Sequence, residues 1–146
     1  MKDIASNKKA YHDYLIEEKY ECGISLVGSE IKSIRAGKVS LKESFVSFVH
    51  GEAFVKGMSI AEYKEATYNN HDETRERKLL LHKSEISKIA SKCKLQGYTC
   101  IPLRMYFNNG KVKLEIALAK GKNLYDKRQA DKQKTMERAA KQALKR

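Results

Sequence analysis

The sequence predicts a mainly β fold, a small antiparallel barrel with flanking helices, and three observations carry that prediction. Two pairs of apolar segments are each joined by a short Gly-containing turn, His50-Gly51-Glu52 and Asn108-Asn109-Gly110, the signature of a β-hairpin. One amphipathic helix lies between them, with Ile86, Ile89, Ala90 and Cys93 at i, i+3, i+4 and i+7. The chain has 146 residues, 41% apolar and 33% charged. That is the size of one domain, which buries roughly 70% of its unfolded surface.

Taken in order, Tyr14, Ile16, Tyr20 and Cys22 hold even positions, interrupted by Glu18, so residues 14–22 read as a half-buried strand. Gly23 punctuates it, and Ile24 to Val27 is expected to continue it past a bend. Gly28-Ser29 opens a short helical turn with Ile31 and Ile34 spaced three apart, Glu30, Lys32, Arg35 and Lys38 on its outer face, and Gly37 to end it in the left-handed conformation. Phe45 to Val49 and Ala53 to Val55 form the first hairpin. From Glu62 to Arg77 periodicity is lost in a long polar loop holding Asn69-Asn70-His71-Asp72-Glu73, and loops of that length in compact domains are usually functional. Leu79-Leu80-Leu81 returns the chain to the core before a helix over 83–96, closed by Gly97. In the last hairpin, Thr99 to Phe107 and Lys111 to Ala119, Val112, Leu114, Ile116 and Leu118 alternate with Lys113, Glu115 and Ala117. Pro102 cannot donate to a ladder, so its strand is expected to start there or to run along an edge. Strand, short helix, hairpin, long loop, helix, hairpin closes most simply as an OB-like antiparallel barrel.

Thirty Lys and Arg against eighteen Asp and Glu leave a net charge of +12, and from Lys120 to Arg146 ten basic residues face only three acidic ones. A field of that sign attracts polyanions, nucleic acid first and an anionic membrane surface second, because each neutralised phosphate releases counterions; it also aids solubility. No apolar run approaches the roughly 20 residues a membrane helix needs, and the residues after Met1 are polar and basic instead of signal-like. A cytosolic address without a membrane partner is expected. Cys22, Cys93 and Cys100 are odd in number and form no C-x-x-C pair, so they read as small buried hydrophobes and not as a disulfide framework or zinc site. The eight glycines stand singly, which leaves no phosphate-cradling loop, and no cofactor is expected.

Residues 1–122 are read as the barrel domain and 123–146 as a basic tail. There Met136, Ala139, Ala140, Ala143 and Leu144 form a thin helical stripe opposite Lys134, Arg138, Lys141 and Lys145. Three of those five apolar residues are Ala, too little area to offset about 1–2 kcal/mol per residue of ordering. The tail is therefore expected to be disordered when free and helical when docked; solvated terminal charge is the alternative.

Of the four histidines, His71 beside Asp72 is the best acid–base candidate, but adjacent residues of an irregular loop seldom converge on one metal or proton. His82 reads as a capping or packing residue and His50 as an exposed turn residue. A non-enzymatic RNA binder is expected, with a generic single-strand binder and a small RNA-processing enzyme using His71 and Asp72 as the alternatives. Asn7-Lys8-Lys9-Ala10-Tyr11-His12-Asp13-Tyr14 interleaves cations, an amide and rings, the set that grips single-stranded or distorted RNA. It reads equally as a frayed start with Tyr14 in the core and the lysines in solvent.

Four segments carry a resemblance: residues 7–14; Gly28-Ser29-Glu30-Ile31-Lys32-Ser33-Ile34-Arg35-Ala36-Gly37-Lys38; Arg77-Lys78-Leu79-Leu80-Leu81-His82-Lys83; and Leu118-Ala119-Lys120-Gly121-Lys122 with Tyr125-Asp126-Lys127-Arg128. In order, over nearly the whole chain, they resemble the signature segments of small protein B, the tmRNA-binding (SsrA-binding) family of bacteria. The resemblance implies an oligonucleotide-binding barrel with a basic C-terminal tail. It also implies a part in trans-translation: binding the tRNA-like domain of tmRNA, standing in for its missing anticodon arm, and bringing that RNA to ribosomes stalled on broken messages. By the same resemblance Asn7, Lys8, Lys9, His12, Glu30, Lys32 and Arg35 belong to the tmRNA-facing side. Lys120, Gly121, Lys122, Tyr125, Asp126, Lys127 and Arg128, with Lys134 and Arg138 of the tail, face the decoding centre and the empty message channel. Glu30 is odd among phosphate-facing cations, so it is expected to accept hydrogen bonds from base edges or to orient Arg35. Two positions depart from the family pattern: Asn123 stands where a further basic residue is common, and Glu73 where a loop Pro is common. The expected partners are tmRNA and the ribosome, and the expected state is a monomer.

Overall fold

In a computed structural model of the chain, residues 3–63 and 71–121 are described. The order of elements is β1 (Asp3–Ser6), α1 (Lys8–Asp13), β2 (Tyr14–Ile24), α2 (Gly28–Arg35), β3 (Val39–Ser40), β4 (Phe45–Val49), β5 (Glu52–Lys56), β6 (Ser59–Ile60), β7 (Arg77–Leu80), α3 (Lys83–Gln96), β8 (Thr99–Asn108) and β9 (Lys111–Gly121). Seven strands form one sheet in the order β1-β8-β9-β2-β7-β5-β4, and β3 pairs separately with β6. All the pairings are antiparallel. The sheet curls until β4 lies beside β8, which makes the expected barrel.

The turns follow from the residues read at them. Asn109 and Gly110 have φ of 55° and 75°, and His50 and Gly51 have 52° and 77°, the paired left-handed conformations that a two-residue hairpin demands. Helix α3 runs over the predicted residues and ends at Gly97, φ 73°. Its start is closed by Glu85, whose carboxylate accepts the His82 N–H at 3.2 Å.

Two apolar clusters hold the fold. Cys22, Ile24, Val55, Leu79, Ile89, Leu114, Ile116 and Leu118 belong to the barrel interior. On the other face of the last hairpin, Ala10 of α1 covers Ile101, Leu103, Ala117 and Ala119. Successive residues of a strand point to opposite faces, so β9 buries its large side chains inward and its alanines under α1. The register shifts between Ile16 and Glu18 in β2 and between Pro102 and Arg104 in β8. Such a bulge turns a stripe onto the other face. Tyr14 and Ile16 accordingly pack under α1, while Tyr20 and Cys22 belong to the interior. Glu18, which broke the even-numbered stripe, marks that bulge. Cys22 and Cys100 are buried and Cys93 is half-buried; burial pushes the Cys22 thiol up to about 12.

Several expectations are corrected. Strand β2 runs through Gly23 and ends at Ile24 instead of bending on to Val27, although the Ser25 N–H still reaches the Lys78 carbonyl at 2.9 Å. Pro102 neither starts β8 nor lies on an outer strand: β8 starts at Thr99 and sits between β1 and β9. It is tolerated because the β1 ladder stops at Arg104 and the bulge follows. The run 7–14 is not frayed, because α1 docks on β8, although Tyr14 packs in a core cluster and Lys8 and Lys9 are exposed, as that reading had them. Arg77 is not a loop residue but the fully buried first residue of β7.

Candidate nucleic-acid interface

Helix α2 turns Glu30, Ser33 and Ile34 inward and leaves Lys32 and Arg35 exposed. The Arg35 guanidinium stands 5.5 Å from the centre of the Phe107 ring, and the Lys32 ammonium 5.3 Å from that of Tyr63. Between α2 and the tip of the β8–β9 hairpin lies a pocket of about 370 Å³. Ile31, Leu80 and Phe107 supply its apolar walls, Arg35, Lys111 and Lys113 its cationic rim, and no carboxylate lines it. Leu80 keeps 55% of its surface exposed and lies among the lining residues of this pocket, beside its cationic rim. Leu80, Lys111 and Lys113, which line this pocket, were not singled out from the sequence. The signal was present for one of them: in the run 79–81 an inward Leu79 obliges Leu80 to point outward.

Lys8, Lys9 and His12 are exposed on α1, and His12 Nδ1 lies 2.9 Å from Asp13 Oδ1. Tyr11 is exposed with the Lys19 ammonium 5.6 Å from its ring centre. Asn7 is committed to structure, since its Nδ2 donates to the Pro102 carbonyl at 3.2 Å and its N–H to the Leu103 carbonyl at 2.7 Å. Helix α1 rests on the Ile101 end of β8, whereas Arg35 meets the Phe107 end, roughly 20 Å away along a strand. The predicted RNA-facing residues therefore form two patches. Lys120 and Gly121 adjoin the second one, pairing with Leu15 and Tyr14. Lys122, Asn123, Tyr125, Asp126, Lys127, Arg128, Lys134 and Arg138, with the helical stripe expected of the tail, lie outside the described residues.

Glu30 corrects its expectation most sharply. It is fully buried, and the guanidinium groups that it holds are those of Arg75 and Arg77. Its Oε1 accepts the Val27 N–H at 2.9 Å and Arg75 Nη2 at 2.7 Å, and its Oε2 accepts Arg75 Nε at 2.9 Å and Arg77 Nε at 2.7 Å. Burial pushes this carboxyl up, but the bonds from Arg75, Val27 and Arg77 outweigh it and hold the group below its ordinary 4.5. His71 and Asp72 do not converge. The His71 ring is buried, with Nδ1 2.8 Å from Ser29 Oγ and Nε2 donating to the Ile60 and Ala61 carbonyls at 2.9 and 3.0 Å. Asp72 Oδ1 is exposed and accepts the Thr74 N–H at 3.0 Å. Among the described residues no group of three or more His, Cys, Asp or Glu is placed to hold a metal ion, and no helix is long and apolar enough to cross a membrane.

A family model described as SmpB protein matches residues 4–146. The chain belongs to the SmpB family. An SsrA-binding protein of Sulfurihydrogenibium sp. (strain YO3AOP1) is 56% identical over 144 residues, 99% of this chain and 95% of that one. Another, from Geotalea uraniireducens (strain Rf4), is 54% identical over 142 residues, 97% of this chain and 94% of that one. A solved structure described as "tmRNA-SmpB: a journey to the center of the bacterial ribosome" has a TM-score of 0.70 at 46% identity, covering 92% of this chain and 94% of that one. Membership of the SmpB family bears out the resemblance that the four segments carried.

Proposed function

We propose that this protein is the tmRNA-binding factor of trans-translation, which holds the tRNA-like domain of tmRNA, occupies the place of its missing anticodon arm and delivers it to stalled ribosomes. The observation that carries the reading is the pocket beside α2 in a chain of the SmpB family. Its apolar walls suit stacking of an unpaired base, and its rim of Arg35, Lys111 and Lys113 suits the flanking phosphates. Lys8, Lys9 and His12 meet a second stretch of the same RNA, so the β8–β9 hairpin is a rigid spacer along it. Lys120 and Gly121 lead toward the ribosome, where Lys122 to Arg128, Lys134 and Arg138 meet the decoding centre and the vacant message channel. The barrel of residues 1–122 thus serves tmRNA and the tail of 123–146 serves the ribosome. The protein acts in the cytoplasm, as a monomer and not as an enzyme.

The test is to recover the protein from cell extract and sequence the RNA that accompanies it. One dominant structured RNA that survives incubation intact is the expected result. Mixed single-stranded fragments would make it a generic binder, and cleavage of the bound RNA would make it a processing enzyme.

A further inference from the structure

We propose that Glu30, Arg75 and Arg77 form a positioning centre that touches no RNA and sets the aim of Arg35 by fixing the two walls of the pocket against each other. The inference rests on the tmRNA reading above. Helix α2 has eight residues, too short to hold its own conformation in water, and of its inward residues only Ile34 is a buried hydrophobe. Directional polar ties do the rest. Ser29 Oγ meets His71, Glu30 meets the two arginines, and Ser33 Oγ donates to the Ala61 carbonyl at 2.6 Å.

Arg77 is the hub. Its Nε donates to Glu30, its Nη1 to the Met58 and Arg75 carbonyls at 2.9 and 3.0 Å, and its Nη2 to the Asp72 and Asp72-adjacent Glu73 carbonyls at 3.2 Å each. All the N–H donors of a guanidinium are thereby used in its one rigid plane. That plane joins α2, the link between β5 and β6, and the segment leading into β7. One wall of the pocket, Ile31 and Arg35, follows Glu30 on α2; the other, Leu80, follows Arg77 on β7. The ion pair is therefore the strut between the walls. An apolar replacement of such a cluster is often neutral or stabilising, so what the charged version contributes is fixed geometry.

The experiment uses the full chain and a transcript of the tRNA-like domain of tmRNA. Glu30→Leu with Arg77→Met replaces the strut by apolar side chains, and Arg35→Ala is made alone and in that background. In the parent, Arg35→Ala lowers affinity about tenfold, as loss of one charge-assisted contact does. In the apolar background affinity is already about tenfold lower and Arg35→Ala costs nothing more, because the residues act as a unit. The Arg35 Nε–H resonance, shifted by the Phe107 ring in the parent, moves to its random-coil position although thermal unfolding stays cooperative. An unmoved resonance with additive losses overturns the proposal. If the double variant does not fold, Arg75→Lys keeps the Glu30–Arg77 pair, removes the second grip and gives the same pattern at about threefold, the size of one hydrogen bond; unchanged values there overturn it too. A parent that does not bind the transcript sinks the tmRNA reading, and the Arg35 resonance still decides the positioning role.

Discussion

At the residue scale, Glu30 and Leu80 exchange the roles that their chemistry suggests: the carboxylate is buried and the leucine is exposed. Removing Glu30 leaves the Arg77 guanidinium buried without its counter-charge, so Glu30→Ala should destabilise the fold by about 3–5 kcal/mol, measured by urea unfolding. The pH dependence has a definite sign. The Glu30 carboxyl lies below its ordinary 4.5 in the folded protein, so its contribution is fully present above that value and is lost as pH falls through the lower folded one. A stability profile that slopes less steeply below about 4.5 in Glu30→Ala than in the parent is the expected contrast, since Glu18, which the Lys92 ammonium also holds below its ordinary value, contributes to both. Leu80→Ser removes an exposed group, and should change stability by less than about 1 kcal/mol while weakening tmRNA binding in a filter or fluorescence assay. The run holding Lys8, Lys9 and His12 read equally as an RNA grip or a frayed start, whereas Lys32 and Arg35 were legible as exposed cations from their helical spacing. Arg77 was not, because a charged residue in a polar stretch is ordinarily solvated, and only five convergent acceptors make its burial possible.

At the scale of elements, the hairpins and α3 were legible because local chemistry dictates them, paired αL residues in two turns and a helix stripe ended by Gly97. The glycines themselves are not equal. Gly51, φ 77°, has open space around a Cβ, whereas Gly57, φ 80°, would bring one to 2.8 Å from the Glu43 carbonyl oxygen. Gly51→Ala should cost about 1 kcal/mol, the strain of a left-handed Ala, and Gly57→Ala distinctly more, because backbone must move as well. Equal losses in chemical denaturation would show that the Gly57 approach is not tight. Helix α1 was not legible as a helix: it has six residues, and only Ala10 is buried. Its place comes from the alanines of β9 and from Asn7 bonding to β8. If Lys9 contacts one phosphate, Lys9→Ala should reduce the slope of log K against log salt by somewhat under 1 without lowering the melting temperature; an unchanged slope removes Lys9 from the interface.

For the whole molecule, the proposed division of labour between barrel and tail predicts that truncation after Lys122 leaves tmRNA affinity within about threefold, a change of less than 1 kcal/mol, and abolishes tagging of stalled chains. Replacing Ala139 and Ala140 by Gly, at about 1 kcal/mol each in helix propensity, should impair rescue without touching a charge. Normal rescue by that variant, with loss on changing Lys134 and Arg138 to Ala, would make the tail an extended polycation. The mainly β class, both hairpins and their turns, α3, the cationic balance and, through four ordered segments, the family follow from the order of residues alone. These depend on near neighbours and on residue types, which a chain carries without its fold. That the even stripe of β2 serves two cores, that the cations form two patches about 20 Å apart along one hairpin, and that Glu30 turns inward to Arg77 follow from the folded arrangement. Those outcomes depend on a bulge, on strand register and on the meeting of residues 30 and 77, whose pairing becomes favourable only after the barrel has excluded water from both.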